Sequence, residues 1–399
     1  MTVNPEYPSE EPFPWHIGVY DAHCHPTDTV PSKNDISSMK ARALTIMATR
    51  RQDQHLVAEF ADDFGITQKL TRGEEGRVSS QCQVIPSFGW HPWFSHLIYD
   101  DDIFDTGSFF GEPEKVKHYQ SVISPSPTDR GFILSLPDPR PLPEYLAEAR
   151  GYLRRYPYAL VGEIGLDRAF RIPENWLPRE PDLRESQLTS GGREGRRLSP
   201  YRVNMDHQRK ILTAQLHLAG EMQRPVSVHG VSAHGVVFET LRATWQGYEK
   251  KILSRRAVKK LASAVAADQK EDVDQPIIGD QPHGLAPKPF PPRVCMHSYS
   301  GPPDTLKQYL SPSIPATIFF SFSKVINLST PSTKAVEAIK AVPSDRLLIE
   351  SDLHCAGAQM DYLLEDIVRF ICQIKGFELN EGVRLLASNW NRFIFGEET

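Results

Sequence analysis

The sequence predicts an α/β fold of the (β/α)8 TIM-barrel type with loop insertions. Three observations lead to this prediction. Short apolar segments recur eight times along the 399 residues, and most of them are followed by a segment with helical periodicity. No Gly-rich phosphate-binding turn follows an early apolar segment, which disfavours the alternative of an open, doubly wound sheet.

The eight apolar segments have the composition of parallel strands that are buried on both faces. In chain order they are 17–23, 42–49, 83–91, 159–167, 225–230, 293–300, 316–323 and 346–352. Segments with an apolar stripe at helical spacing are 52–64, 143–156, 205–222, 231–245, 303–310, 333–341 and 361–375. This alternation is the pattern that a closed parallel barrel requires.

Three stretches lack both patterns and are rich in Pro, Ser, Gly or charged residues. They are 96–138, 168–202 and 270–292, and we expect them to be inserts that form surface loops. Residues 1–16 are interpreted as an N-terminal extension. Residues 17–395 are interpreted as one barrel domain that carries the three inserts.

Composition narrows the class of protein. Hydrophobic residues make up 40% and charged residues 24%, as in soluble globular proteins. No apolar run approaches the roughly 20 residues of a membrane span, and the start is acidic and Pro-rich, unlike a signal peptide. Five cysteines without a Cys-x-x-Cys pair indicate reduced thiols, hence a cytoplasmic or nuclear protein. A net charge of −5 leaves nucleic-acid binding to a local patch.

Polar side chains stand at the ends of the predicted strands, where a barrel places its active site. His23 and His25 end the first strand, at alternating positions that share one face. The other strand-end residues are Glu163 on strand four, His229 on strand five, His297 on strand six, and Glu350 and Asp352 on strand eight. Four imidazoles and several carboxylates are therefore predicted to converge on one rim.

This donor set predicts a metal centre. Imidazole and carboxylate ligands suit Zn²⁺, Mn²⁺, Fe or Ni, and Mg²⁺ is less favoured by so many nitrogen atoms. Six ligands are too many for one tetrahedral ion that keeps an open position. They suit two ions about 3.5–4 Å apart that share a carboxylate, an arrangement that activates water near neutral pH. The sequence therefore predicts a hydrolase.

A series of motifs carries a resemblance to a known family. In order they are VYDAHCH at 19–25, GWHP at 89–92, GEIGLD at 162–167, PVSVH at 225–229, HSYSG at 297–301, FSFS at 320–323, LIESD at 348–352 and NWNRF at 389–393. Together they resemble the motifs of TatD-type metal-dependent deoxyribonucleases, which are amidohydrolase-like barrels. The resemblance runs from about residue 17 to about residue 395, outside the inserts.

The resemblance implies two divalent ions (Zn²⁺, Mn²⁺ or Mg²⁺) with shared ligands. One ion would be held by His23, His25, Glu163 and Asp352, and the other by Glu163, His229 and His297. Glu163 would bridge the ions, and Asp352 would also act as a general base on water. No Lys stands on strand four to bridge the ions as in relatives that hydrolyse cyclic amides, which favours phosphodiester cleavage. The implied substrate is DNA, single-stranded or at an end, cleaved as by a 3′–5′ exonuclease.

Two departures from the family pattern concern the substrate. Val231 stands where relatives usually carry an Arg, two residues after the strand-five His, and His354 follows Asp352 where a Pro is usual. We predict substrate contacts from His91, from His354 and from three insert arginines, Arg193, Arg196 and Arg197. The alternative for the arginines is a solvated loop whose acidic residues offset them.

Two other functions stay open. The long inserts look similar to those of fungal relatives, some of which are described as partners of an anaphase-promoting-complex subunit. That similarity implies a possible protein partner bound through the inserts, with a secondary or vestigial metal site. The same metals also suit hydrolysis of small ester, amide or aminoacyl substrates.

Overall fold

The computed structural model describes residues 11–29, 32–66, 81–100, 111–176, 185, 187–251, 288–330 and 333–396. Its central strands, numbered in chain order, all run parallel to their neighbours. They are β1 (Tyr20–Cys24), β2 (Ala43–Met47), β3 (Gln83–Ser87), β4 (Val161–Asp167), β5 (Val226–Val231), β6 (Arg293–Met296), β7 (Thr317–Phe322) and β8 (Leu347–Ile349). Each overlaps one of the segments that the sequence predicts to be strands, and β1 and β5 extend one residue beyond theirs.

The eight strands follow one another in space in the order of the chain. One sheet contains β1-β2-β3 and the other β8-β7-β6-β5-β4. A parallel bridge between Ser87 and Leu160 joins β3 to the start of β4. Between the other two edge strands, the backbone N–H of Asp352, just after β8, donates to the carbonyl of His23 in β1 at 3.0 Å, which joins β8 to β1. The closed (β/α)8 TIM barrel that the sequence predicts is confirmed.

Helices follow most of the strands and cover the barrel from outside. They are α1 (Arg51–Phe64), α2 (Glu112–Val122), α3 (Arg130–Ser135), α4 (Leu142–Arg155), α5 (Met205–Glu221), α6 (His234–Trp245), α7 (Pro303–Tyr309), α8 (Lys324–Asn327), α9 (Thr333–Ala341), α10 (Ala358–Lys375) and α11 (Leu379–Phe395). Seven of them coincide with predicted helical segments to within about three residues. None of the helical segments predicted from the sequence corresponds to α2, α3, α8 or α11.

The first insert, 96–138, differs from the predicted surface loop because it has a hydrophobic cluster of its own. Two short helices, α2 and α3, lie in it, and the side chain of Asp129 caps α3 by accepting the N–H of Phe132 at 3.2 Å. The buried cluster, which also includes residues of the second insert, consists of Tyr119, Val122, Ile123, Phe132, Ile133, Leu136, Ile172 and Val203. The two inserts therefore pack on each other. The six-residue α3 is too short to show a clear apolar stripe in sequence, and α2 consists mostly of polar residues.

The bottom of the barrel interior is closed by α11. Alternate strand residues point inward and meet side chains of α11 in one cluster: Ala22, Ala43, Ile85, Leu160, Cys295, Phe319 and Leu348 with Trp390, Phe393 and Ile394. The Trp390 ring stacks on Tyr20 at 4.5 Å, and its Nε1 donates to the Thr45 hydroxyl at 3.2 Å. The NWNRF motif at 389–393 therefore lies at the end of the barrel opposite the C-terminal ends of the strands, where its role is packing.

Replacing this buried indole is expected to destabilise the fold. Trp390 is 1% exposed, so Trp390→Ala removes a large buried side chain and leaves a cavity, at a cost of about 3–5 kcal/mol in the free energy of unfolding. Urea unfolding followed by circular dichroism measures the change. Tyr362→Ala is the control, because Tyr362 is 67% exposed. Equal stability of Trp390→Ala and wild type would contradict the assignment of a packing role.

Two further predictions bear on the fold. Within the described residues, no helix is both long enough and apolar enough to cross a membrane. The third insert, 270–292, falls largely among residues 252–287, which lie outside the described part of the chain. The limits of the N-terminal extension, the barrel domain and the inserts stay predictions.

Candidate metal centre

The predicted ligands gather at the C-terminal ends of the strands, although some of them lie beyond the strands. His23 is in β1, Glu163 in β4 and His229 in β5. His297 directly follows β6, and Asp352 comes three residues after β8. His25 is likewise one residue past β1, whose register is irregular between Asp21 and Cys24, so the prediction that both histidines extend from one regular strand is corrected. The turns after the strands bring these side chains to the rim.

One carboxylate oxygen of Glu163, Oε2, faces the first group of donors. The Nε2 atoms of His23 and His25 lie 3.5 and 3.4 Å from it. These two nitrogen atoms are 3.1 Å apart. Asp352 completes the group, because its Oδ1 lies 3.4 Å from Nε2 of His25 and 3.8 Å from Nε2 of His23. This half of the centre contains two imidazoles and two carboxylates.

The other oxygen of Glu163, Oε1, faces a second group of donors. Nδ1 of His229 and Nε2 of His297 each lie 2.9 Å from it. Nε2 of His91 lies 3.3 Å from the same oxygen. The second half of the centre therefore contains three imidazoles, one of which, His91, the sequence suggests as a substrate contact.

The donor atoms fit divalent metal ions. Within each of two groups, His23–His25–Glu163 and His91–Glu163–His229, one donor atom from each residue lies within 4.8 Å of the others, and every member is buried. A buried carboxylate that faces five imidazoles within 3.5 Å has the nitrogen and oxygen donors that Zn²⁺, Mn²⁺ and similar ions prefer. Nδ1 of His25 also has no hydrogen-bond partner among the described residues.

Electrostatics keep the central carboxylate ionised. Burial alone would raise the pKa of Glu163, but His91, His297 and His23 hold it well below the usual range. Burial would lower the pKa of His25, and the carboxylates of Asp352 and Glu163 outweigh it, which raises that pKa to about 9. Glu163 is thus ionised and the protonated form of His25 is favoured, so a divalent ion that binds here must displace that proton.

Two of the predicted ligand imidazoles are oriented from behind by polar side chains. Nδ1 of His23 lies 2.8 Å from the Ser227 hydroxyl. Nε2 of His229 lies 3.2 Å from Oδ2 of Asp167, and the same oxygen accepts the Nε1–H of Trp93 at 2.6 Å. Such contacts fix the ring orientation of metal-binding histidines. The sequence motifs alone do not single out Asp167. It lies four residues after Glu163 on β4, and this even spacing, which places both side chains on one face of the strand, is the signal that identifies it.

Glu350 lies beside a third imidazole, and its carboxylate is within 4.8 Å of donor atoms of His23 and His297. It is fully buried, and its Oε1 lies 3.5 Å from Nδ1 of His297. The backbone N–H of Ser298 donates to Oε1 at 2.8 Å, and the hydroxyls of Ser298 and Ser321 also donate to this carboxylate. Three donors therefore satisfy Glu350, which lets its charge remain buried beside His297.

Asp352 is the accessible carboxylate of the centre. Its side chain is 13% exposed, whereas that of Glu163 is 4% exposed. Its backbone has a φ of 53°, a left-handed conformation that is uncommon for a non-Gly residue. Such backbone strain is found at functional sites, where the surrounding structure enforces it; here the hydrogen bond to the His23 carbonyl does so.

His91 and His354, the two rim histidines predicted to contact substrate, also make polar contacts with other residues of the chain. Nδ1 of His91 accepts the backbone N–H of Trp93 at 3.2 Å, which caps the turn after β3, while its Nε2 faces Glu163. The His354 side chain is 65% exposed; its Nδ1 lies 2.9 Å from Asp28, and its ring is 5.8 Å from that of His25. Both residues are thus brought to the centre.

The three insert arginines differ in exposure. Arg193 and Arg197 are exposed, and Arg196 is half-buried. The guanidinium of Arg196 donates to the carbonyls of Gly192 and Arg193, within its own loop. This loop is fixed to the barrel by Arg50, which is 5% exposed and donates to the carbonyls of Ser190 and Thr189. The insert therefore lies over the rim.

Comparisons with known proteins agree with this centre. The profile of a family described as TatD related DNase matches residues 20–395. The chain is 34% identical over 376 residues to the Cut9-interacting protein scn1 of Schizosaccharomyces pombe, covering 94% of this chain and 98% of that protein. It is 26% identical over 340 residues to a protein of Saccharomyces cerevisiae named uncharacterized deoxyribonuclease YMR262W, covering 83% and 82%.

Solved structures share the fold. The TatD homologue YJJV of Escherichia coli K12 superposes with a TM-score of 0.50 at 15% identity, covering 95% of this chain and 98% of that one. An uncharacterized amidohydrolase of Saccharomyces cerevisiae gives a TM-score of 0.50 at 12% identity, covering 95% and 99%. At these identities the likeness concerns the barrel alone.

Proposed function

Because the chain belongs to the TatD-related DNase family of metal-dependent hydrolases, we propose that it is a deoxyribonuclease that uses two divalent ions, one on each side of Glu163. The observation that carries this proposal is that the two oxygens of Glu163 face separate groups of imidazoles. One ion would be held by His23, His25, Glu163 and Asp352, and the other by Glu163, His229 and His297. Because Nδ1 of His91 accepts the Trp93 N–H, its Nε2 carries the ring proton and would donate to Glu163 rather than bind an ion.

The residues of the chain have distinct roles in the proposed hydrolysis. When bound, divalent ions supply Lewis acidity, which lowers the pKa of water and offsets charge on phosphate oxygens. Asp352, the accessible carboxylate, orients the attacking water and accepts its proton. Glu163 stays ionised because of the surrounding histidines. Asp167 and Ser227 hold two of the imidazoles in place, and the Glu350 carboxylate lies beside a third.

Substrate contacts are proposed from the rim. His91 and His354 would contact phosphate oxygens beside the centre, and the exposed Arg193 and Arg197 would attract the DNA backbone. Arg196 would act at shorter range. These groups would replace the Arg that relatives usually carry at the position of Val231. Cleavage of single strands from an end, in the 3′–5′ direction, follows from the resemblance to the family.

Chelation tests the proposal directly. We expect the purified chain to shorten end-labelled single-stranded DNA, EDTA to abolish the reaction, and Mn²⁺ or Zn²⁺ to restore it, because the proposed chemistry needs bound cations. Labels on the 5′ end and on the 3′ end, compared in separate reactions, report the polarity. A chain that carries metal yet leaves every nucleic acid intact would contradict deoxyribonuclease activity. Turnover of aminoacyl or small ester substrates by that chain would then assign another hydrolase activity.

A second candidate function is binding to a protein partner. The relative at 34% identity is named a Cut9-interacting protein, and the first two inserts pack into one surface layer beside the rim. We propose that a protein similar to Cut9 would bind the surface formed by these inserts. Retention of such a partner by Glu163→Gln would separate this function from the metal chemistry.

A further inference from the structure

A cavity of about 420 Å³ lies between the two described inserts and the turn that follows β3. This volume falls in the range of small-ligand sites, roughly 300–1,000 Å³. Its walls include four aromatic side chains, namely Trp93, Phe94, Phe170 and Trp176. Parts of the chain that are distant in sequence therefore meet to form one aromatic-lined site.

The cavity adjoins the metal centre through Trp93. The Trp93 ring packs edge-on against the imidazoles of His91, at 4.7 Å, and His229, at 6.2 Å. Its Nε1 donates to Asp167, the residue that orients His229. One side chain thus forms a wall of the cavity and contacts two imidazoles of the centre.

The stacked aromatic rings of the wall are held in a fixed orientation. Phe170 stacks on Trp93 with ring centroids 4.6 Å apart and planes 10° from parallel. The backbone N–H groups of Ala169 and Phe170 donate to Oδ1 of Asp167 at 2.6 and 2.9 Å, which fixes the start of the insert. Trp93 keeps 37% of its surface exposed despite these contacts. A planar ligand thus finds preorganised aromatic surface.

Polar groups lie at the same cavity. The half-buried Arg196 is a lining residue, as is the buried Glu194, whose Oε1 accepts the backbone N–H of Gly191 at 2.6 Å. His96 adds a buried imidazole whose pKa is lowered to about 3 by burial and by the nearby His118 and His207, so its ring is neutral. The lining combines aromatic faces with one cation, one carboxylate and a neutral imidazole, a set of polar groups that can orient a planar polar ring.

We propose that this cavity binds an unstacked nucleobase of the DNA strand whose phosphodiester lies at the metal centre. This inference rests on the proposed deoxyribonuclease function and names a part of its substrate site. Base stacking on aromatic side chains tolerates every sequence, and Arg196 beside the aromatic wall suits the sugar-phosphate next to that base. The cavity is of a size for one nucleoside rather than a duplex, which favours single strands or frayed ends.

A binding cycle with an abasic substrate tests the proposal. Fluorescence anisotropy would measure the Kd of the metal-loaded chain for a single-stranded oligonucleotide with phosphorothioate linkages, which resist cleavage, and for the same oligonucleotide lacking the terminal or the penultimate base. We expect Phe170→Leu and Trp176→Ala to weaken binding of the intact strand by about 5- to 140-fold, the value of one base stack. The abasic strand should bind wild type more weakly by a similar factor, and the variants should weaken it little further.

Tyr248→Ala is the matched control. Tyr248 is a half-exposed aromatic residue that packs on Phe290, after the end of α6 and away from the metal centre, and its replacement should leave the Kd unchanged. Equal losses for intact and abasic strands in the variants would overturn the proposal. So would unaltered oligonucleotide binding combined with lost binding of N-acetylphenylalanine amide, which would assign the cavity to an aromatic side chain of a protein.

Cleavage of the unmodified oligonucleotide, measured in parallel, separates the proposal of a nucleobase site from the proposal of deoxyribonuclease activity. Cleavage, combined with equal losses of affinity for the intact and the abasic strand in the cavity variants, would overturn the nucleobase site and leave the deoxyribonuclease proposal in place. Coupled binding without cleavage would support the nucleobase site and contradict the nuclease activity. A chain that binds neither strand would overturn both.

Discussion

Glu163→Gln is expected to lose both bound metal and hydrolytic activity. The charged carboxylate of Glu163 offers one oxygen to each group of imidazoles, whereas a neutral amide keeps the shape but supplies one oxygen and no charge. Because metal ions contribute several kcal/mol to transition-state stabilisation, and about 1.4 kcal/mol corresponds to a factor of ten, the rate should fall by roughly 10³-fold or more. Elemental analysis and the DNA cleavage assay measure the two losses.

The control for this substitution is Glu144→Gln. Glu144 lies on α4, pairs with Arg140 and has a side chain that is 58% exposed, so this change should affect neither metal content nor rate. Circular dichroism of Glu163→Gln should show a folded barrel. A folded variant with the metal content and rate of wild type would contradict the role given to Glu163.

Asp352→Asn is expected to lower kcat by about 10²- to 10⁴-fold, the usual contribution of a general base. The amide cannot accept the proton of the attacking water, while it keeps the volume of the side chain and its held backbone conformation. Since the second group of donors does not include Asp352, metal content should fall less than in Glu163→Gln. KM for the oligonucleotide should change little, because the predicted substrate contacts remain.

Asp304→Asn is the matched control, since the Asp304 side chain is 90% exposed and lies on α7. Steady-state kinetics of the two variants, with metal content measured in parallel, distinguish a lost base from a lost ligand. A kcat of Asp352→Asn within threefold of wild type, at full metal content, would be incompatible with the proton-accepting role.

The barrel could be predicted because its strands are buried on both faces and therefore appear as apolar runs. The predicted ligands could be placed together for a related reason, since all parallel strands end at one face of a barrel. Strand ends were less predictable. His25, His297 and Asp352 lie in the turns after the strands, where backbone conformations such as the positive φ of Asp352 depend on tertiary contacts.

Other features depend on contacts that sequence patterns do not encode. No helix is predicted from the sequence over α11, although it carries a regular apolar stripe of Val383, Leu386, Trp390 and Phe393. That Trp390 fills the barrel interior depends on tertiary packing. The cavity wall combines Trp93, Phe170 and Arg196, which are far apart in the chain. Only the packing of the two inserts on the rim brings these side chains together.

Anomalous diffraction from crystals of the Mn²⁺- or Zn²⁺-loaded chain is the most direct test of a metal pair centred on Glu163. We predict two peaks about 3.5–4 Å apart, one beside Oε2 with His23 and His25, and the other beside Oε1 with His229 and His297. A single peak, or peaks that do not touch the carboxylate of Glu163, would contradict the account.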